Sequence, residues 1–161
     1  MILDGKKESA LLREEIKKEI LEIKIRTNRS PGLSVILIGD FSPSQIYVKN
    51  KEKNSKEVGI NSEVIKYPKE VKETEVLEKI RELNNNDNVS GILVQLPLPA
   101  HISKEKIINT IKPSKDVDGF HPINVGNLSL GYEAIVPCTP LGCMLLIKKV
   151  EKNLAGKHAV I

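Results

Sequence analysis

A chain of 161 residues, 40% hydrophobic and 29% charged, can enclose one full core and has the balance of an ordinary water-facing domain. No apolar run is long enough to span a bilayer and the N-terminus lacks the apolar core of a signal peptide, which predicts a cytoplasmic protein with no membrane partner. The net charge of +4 and pI near 9.0 raise nucleic acid as a partner. However, the signs alternate along helical faces, as in Glu14-Glu15-Ile16-Lys17-Lys18-Glu19, and 3% aromatic residues are too few for a stacking platform, so none is expected.

In chain order, Leu12, Ile16, Ile20 and Ile23 recur at spacings of three and four and predict an amphipathic helix from about Glu8 to Arg26. Leu33 to Ile38 is a short apolar, β-branched run closed by Gly39-Asp40. Asn61 to Tyr67 is a second extended segment and Ser90 to Leu96 a third. Between them, Ser42-Pro43 is placed as an N-cap followed by proline at the first helical position, and Val76, Leu77, Ile80 and Leu83 form another apolar stripe. Ile107, Ile108 and Ile111 mark a further crossover helix. Strands alternating with helices imply parallel pairing, hence a three-layer αβα domain with a mostly parallel sheet.

The helix after the first strand has one charged residue on its quieter side. At 100° per residue, Ser44, Tyr47, Val48, Lys51, Ser55 and Val58 share one arc, while Lys49, Glu52, Lys53, Lys56 and Glu57 project elsewhere. Lys51 is either one more solvated lysine or, partly shielded beside Tyr47, a proton acceptor near neutral pH. Gln95 is the polar intrusion in the apolar strand Gly91 to Pro99, at its carboxyl end, where open parallel sheets bind ligands; bonding to loop backbone is the bland alternative.

Pro113 to Leu128 fits neither a helical nor a strand period, yet Val117, Phe120, Ile123, Val125 and Leu128 make it too apolar for a solvated linker. It is expected to be a functional loop, or else a crossover in which Asp116 and Asp118 make turn hydrogen bonds. His101, His121 and His158 lack ligand spacing, and Cys138 and Cys143 are too few for a zinc site. No metal is expected and the cysteines are read as free thiols.

Four segments taken together resemble the bifunctional methylenetetrahydrofolate dehydrogenase/cyclohydrolase (FolD) family. They are Ser44-Gln-Ile-Tyr47-Val-Lys-Asn-Lys51 with Gly59-Ile60, Gly91 to Pro99, Lys115-Asp-Val-Asp-Gly119 with Asn124 and Gly126-Asn-Leu128, and Pro137-Cys-Thr-Pro-Leu-Gly142. The resemblance implies oxidation of 5,10-methylenetetrahydrofolate with NADP, less often NAD, and hydrolysis of the methenyl product to 10-formyltetrahydrofolate. It assigns catalysis to Tyr47, Lys51 and Gln95, pteridine binding to Asp118, and further substrate contacts to Ser44, Val94 and Pro97. A monofunctional relative and a non-catalytic α/β ligand-binding module remain the alternatives.

In that family the chain continues into a Rossmann-type nicotinamide-binding domain entered by a strand resembling Gly156-Lys-His-Ala-Val-Ile161. No glycine-rich phosphate turn occurs here, so no dinucleotide-binding residue is assigned. Residues 1–120 are therefore read as the folate-binding catalytic domain. Residues 121–161 are read as linker loop, a bridging helix from about Pro140 to Lys149 and the first strand of a truncated cofactor domain, the whole being a fragment of a longer enzyme. Cys138 and Thr139 fall at the linker and are given a structural role. The resemblance implies a homodimer for the intact protein, largely through the missing domain, and leaves the fragment free to be monomeric.

Overall fold

A computed structural model describes residues 2–160. Helix α1 (Gly5–Thr27) starts where Asp4 Oδ1 accepts the Lys6 and Lys7 amides at 3.0 and 3.2 Å, and stops at Asn28 in the left-handed region. Of its predicted stripe only Ile20 is buried; Ile16 and Ile23 are half-buried and Leu12 is exposed. Strand β1 (Gly32–Ile38) leads into α2 (Ser42–Val58), β2 (Asn61–Tyr67), α3 (Glu73–Asn85) and β3 (Gly91–Val94). The α2 start differs from expectation by one residue. Phe41 occupies the cap position without a side-chain bond, Ser42 is the first helical residue and Pro43 follows in the first turn.

The sheet is parallel in the order β2-β1-β3, with Val35 opposite both Val64 and Leu93. β1 is central and buried nearly throughout, which is why its sequence is a continuous apolar run rather than an alternation. Successive side chains of β1 feed opposite faces. Ile36 and Ile38 join Val76, Ile80 and Leu83 of α3 in the larger core, whereas Val35 and Leu37 meet Val48 of α2. Ile36, Val76 and Ile80 are fully buried, each stabilising the fold by roughly 1.5–3 kcal/mol. Helices thus cover both faces, as the three-layer expectation requires, and the sheet is three strands wide.

Helix α4 (Lys104–Thr110), capped by the Ser103 hydroxyl, follows the third strand, and a 3-10 turn (Pro113–Lys115) returns the chain to the sheet. There Asp116 makes a parallel bridge to Ile92, so the chain runs along the outer edge of β3. Gly91 permits this close approach, since a Cβ on it would collide with Val117 Cγ1. Gly91→Ala is accordingly expected to lower stability by about 1–3 kcal/mol through overpacking. A urea midpoint equal to wild type would show that Val117 can withdraw freely.

Three expectations need correction. The supposedly irregular stretch from Pro113 to Leu128 holds the 3-10 turn and helix α5 (Pro122–Ser129), which begins with proline after His121. Its period is hidden because Ile123, Val125 and Leu128 are exposed and Asn124 is the buried residue. The third strand stops at Val94, short of Leu96, as the chain turns through the cis Leu96-Pro97 bond. Residues 156–160 form no strand; Val160 is 87% exposed and has no neighbouring strand to supply a ladder, while Ile161 lies outside the described residues. The bridging helix is present as α6 (Cys138–Val150), two residues longer at its start than expected.

Candidate functional site

The carboxyl ends of β1 and β3 and the first half of α2 converge on Gln95. Its amide N–H donates to Ile36 O at 2.9 Å, prolonging the β1–β3 ladder by one bond, and its side-chain Nε2 donates to Leu96 O at 2.8 Å. That leaves Oε1 pointing at α2, where Lys51 Nζ donates to it across a long 3.4 Å. Ser44, two turns before Lys51 and buried, donates its hydroxyl to Leu96 O at 3.4 Å. Thus Ser44 and Gln95 grip one carbonyl, and the helix is held to the strand end at the level of Lys51. Both readings of Gln95 apply at once: one end bonds loop backbone and the other presents an acceptor to the lysine.

Lys51 is half-buried, on the arc the sequence indicated. Tyr47, one turn earlier, is 64% exposed and its hydroxyl makes no hydrogen bond among the described residues, so its ring is open to a ligand rather than held against the lysine. Val94 is buried and Pro97 exposed just beyond it.

Asp118 enters from the opposite side. Asp116 is bridged in parallel to Ile92, the chain then turns, and Asp118 is brought by that turn to the same crevice as Val94 at the end of β3. Together they line a narrow crevice with Leu96, Ile107 and Phe120, and Lys104 Nζ stands 5.8 Å over the Phe120 ring at its edge. Burial pushes the Asp118 carboxyl above its ordinary value; the Lys51 ammonium opposes this and Asp116 adds to it. Asp118 accepts no hydrogen bond among the described residues, so its oxygens are available to a ligand.

Each residue of Lys115-Asp-Val-Asp-Gly119 has a separate task. Lys115 Nζ donates to Leu83 O at 3.0 Å and Asn86 O at 2.8 Å, capping the C-terminal end of α3. Asp116, 3% exposed, accepts the His121 amide at 2.8 Å and the Asn124 side chain at 3.0 Å through Oδ2. Val117 packs beside Val35 and Leu93. Gly119 has φ +68°, and a Cβ there would lie 2.6 Å from Ile135 O. The bland reading of paired turn-forming aspartates therefore holds for Asp116 and not for Asp118.

Sequence reasoning missed the tasks of Lys115, His121 and Asn124, and gave Asp116 its hydrogen-bonding role only as one of two alternatives. The one available signal was a buried-type spacing around polar residues, which has no hydrophobic period. Cys138 is exposed and its thiol donates to Val117 O at 3.7 Å, tying the start of α6 to the aspartate loop, a structural contact of the kind expected for it. No group of three or more His, Cys, Asp or Glu suited to a metal occurs among the described residues.

Comparison with known proteins gives a consistent outcome. Residues 3–118 match the family model for the tetrahydrofolate dehydrogenase/cyclohydrolase catalytic domain. The chain is 63% identical over 161 residues to the bifunctional protein FolD of Pelagibacter ubique (strain HTCC1062), covering all of this chain and 57% of that protein. It is 49% identical over 160 residues to the Brevibacillus brevis protein of the same name, covering 99% and 56%. The crystal structure of the Campylobacter jejuni methylenetetrahydrofolate dehydrogenase/cyclohydrolase superposes with a TM-score of 0.94 at 50% identity, over 98% of this chain and 56% of that one. The Trypanosoma brucei enzyme, solved with NADP cofactor and inhibitor, gives 0.93 at 33% identity over 98% and 54%. The chain thus spans a little over half the length of the relatives it matches.

Proposed function

The chain belongs to the tetrahydrofolate dehydrogenase/cyclohydrolase family, and from that premise we propose that it is the folate-binding catalytic part of a bifunctional enzyme. That enzyme oxidises 5,10-methylenetetrahydrofolate to the methenyl form and hydrolyses the latter to 10-formyltetrahydrofolate. The observation that carries the reading is the pairing of Lys51 with Gln95 at a strand end, with the unbonded carboxylate of Asp118 near enough for the Lys51 charge to act on it.

Hydrolysis makes the heavier demand on these residues. Water adds to the cationic methenyl carbon and loses one proton, leaving a hydroxyl on that carbon; the carbon–N5 bond then breaks as the hydroxyl proton passes to N5, leaving the formyl group on N10. Lys51 Nζ is the proton acceptor within reach of that chemistry, and a cationic substrate beside it disfavours a second positive charge on the amine. Gln95 Oε1 aims the amine without adding charge, and Tyr47 offers an exposed ring against the folate ring system. Asp118 accepts the N–H donors of the pteridine edge, a charge-assisted contact that orients the substrate. Ser44 holds the Leu96 carbonyl and so the wall of the pocket, while Val94 supplies apolar surface inside it and Pro97 lies exposed just beyond.

The oxidative step takes NADP as hydride acceptor in this reading, with NAD the alternative, supported by the NADP-bound Trypanosoma relative. The residues present do not fit that dinucleotide. Among the described residues, the turns from strand to helix include Gly39 alone between β1 and α2, and no glycine-rich loop opens a helix for a pyrophosphate. No step is therefore assigned to it here. Residues 1–120 are the folate domain in this proposal and 121–161 the connection to a cofactor domain, with the complete enzyme a cytoplasmic homodimer. No described helix is long and apolar enough to cross a membrane.

Calorimetric titration of the chain with 5-formyltetrahydrofolate, a stable reduced folate, is expected to show saturable binding that excess unlabelled methenyltetrahydrofolate competes away. Binding that fails to saturate, or that is abolished only by salt, would overturn the assignment.

A further inference from the structure

The segment 113–124 closes on itself through one buried carboxylate. Asp116 Oδ2 accepts two donors, the His121 backbone N–H and one hydrogen of Asn124 Nδ2; the other hydrogen of that amide goes to Pro113 O at 2.9 Å. Asn124 is 6% exposed and His121 9%, so all three partners are withdrawn from water. His121 in turn accepts the Ile123 amide on Nδ1 at 3.2 Å and starts α5. The ring of bonds spans Asp118 and Gly119 without using either side of Asp118. A buried carboxylate left short of donors is costly, so a loop in which both are supplied has one favoured shape.

We propose that Asp116 is a positioning residue of the folate site: clasped by Asn124 and the His121 amide, it fixes the loop that presents Asp118 to the pteridine, without touching the substrate. The proposal rests on the folate reading above for its ligand, and on the geometry alone for the clasp. Its alternative, a loop held by Lys115 and Val117 with Asp116 merely satisfied inside it, makes different predictions.

The charged and titratable groups near Asp118 are Lys51 from α2, Lys104 from α4, and Asp116 and His121 from its own loop; β3 contributes only uncharged side chains there. Burial chiefly, opposed by Lys51 and reinforced by Asp116, holds the Asp118 carboxyl above its ordinary value. Protonation removes the charge and turns one acceptor oxygen into an O–H donor, weakening the contacts to the pteridine N–H groups, so affinity falls as pH drops through that value. Replacing Asp116 by asparagine leaves an oxygen to receive both donors and removes the neighbouring charge. Removing Asn124 opens the clasp and keeps the charge.

The test compares Asp116→Asn and Asn124→Ala with wild type in two measurements on the 161-residue chain: calorimetric affinity for 5-formyltetrahydrofolate across pH, and the carbon-13 titration of the Asp118 carboxyl without ligand. Asn124→Ala is expected to bind about tenfold more weakly at every pH, out of proportion to any fall in Tm. Asp116→Asn is expected to move both the Asp118 midpoint and the acid limb of binding to lower pH. Wild-type affinity in both variants, or an Asp118 midpoint unmoved in Asp116→Asn, would overturn the proposal. Should Asn124→Ala fail to fold, Asp116→Asn decides alone through its midpoint. Should wild type itself not bind the folate, the folate reading fails, and the ligand-free titration still decides whether Asp116 governs Asp118.

Discussion

Lys51→Met is expected to abolish hydrolysis of methenyltetrahydrofolate, with a loss of about 10²–10⁴-fold in kcat, the usual contribution of a positioned proton acceptor. Methionine has nearly the reach of lysine and no proton to exchange. The half-buried stem of Lys51 continues to pack, and only the 3.4 Å bond to Gln95 is given up, so Tm should change little. Gln95 keeps its Nε2 bond to Leu96 O, so the strand end stays in place. The measurement is the hydrolysis rate with the chain carried in its complete reading frame, beside the rate of dehydrogenation in the same preparation. Hydride transfer needs orientation rather than a proton acceptor, so dehydrogenation should be retained in part. Hydrolysis at the wild-type rate would make Lys51 an ordinary helix lysine.

The difference between what was legible in the chain and what was not follows from the kind of interaction involved. β1 and α3 were readable because apolar burial imposes a period, continuous for a central parallel strand and three-four for a helix packed on a sheet. Lys51 and Gln95 were readable because each interrupts such a pattern, one as the lone charge on an arc and the other as the lone polar group in an apolar strand. Tyr47 was placed with Lys51 on the same reasoning, but a helical arc of about 100° has edges, and Tyr47 lies on the exposed one. α5 was invisible because it is anchored by Asn124 rather than by an apolar stripe. The division of labour between Asp116 and Asp118 was invisible too. Two aspartates separated by one residue would share a side in an extended segment; here Asp116 sits in the bridge to Ile92, a contact formed 24 positions away in sequence, and Asp118 in the turn that follows it, so only Asp116 is buried.

Asp118→Ala is expected to weaken folate binding by about 10–100-fold, the range for losing charge-assisted hydrogen bonds of roughly 1.5–3 kcal/mol, while the fold survives because no described residue donates to that carboxylate. The companion change, Asp118→Asn, should go further and raise stability at neutral pH. Burial lifts the carboxyl above its unfolded value, so the folded chain holds the proton more tightly than the unfolded one. The stabilisation from the protonated form is complete below the ordinary aspartate range and is lost as pH rises through the lifted value. At neutral pH the native carboxylate is therefore a cost, which a neutral amide of the same shape avoids. The expected result is a Tm for Asp118→Asn above wild type at pH 7, with the difference closing as both are acidified, alongside a clear loss of affinity for 5-formyltetrahydrofolate. Thermal scans at three or four pH values check the sign directly. A wild-type chain that gained on Asp118→Asn as pH rose would mean that Asp118 is stabilised as a carboxylate by Lys51, and that the charge belongs to the fold rather than to the ligand.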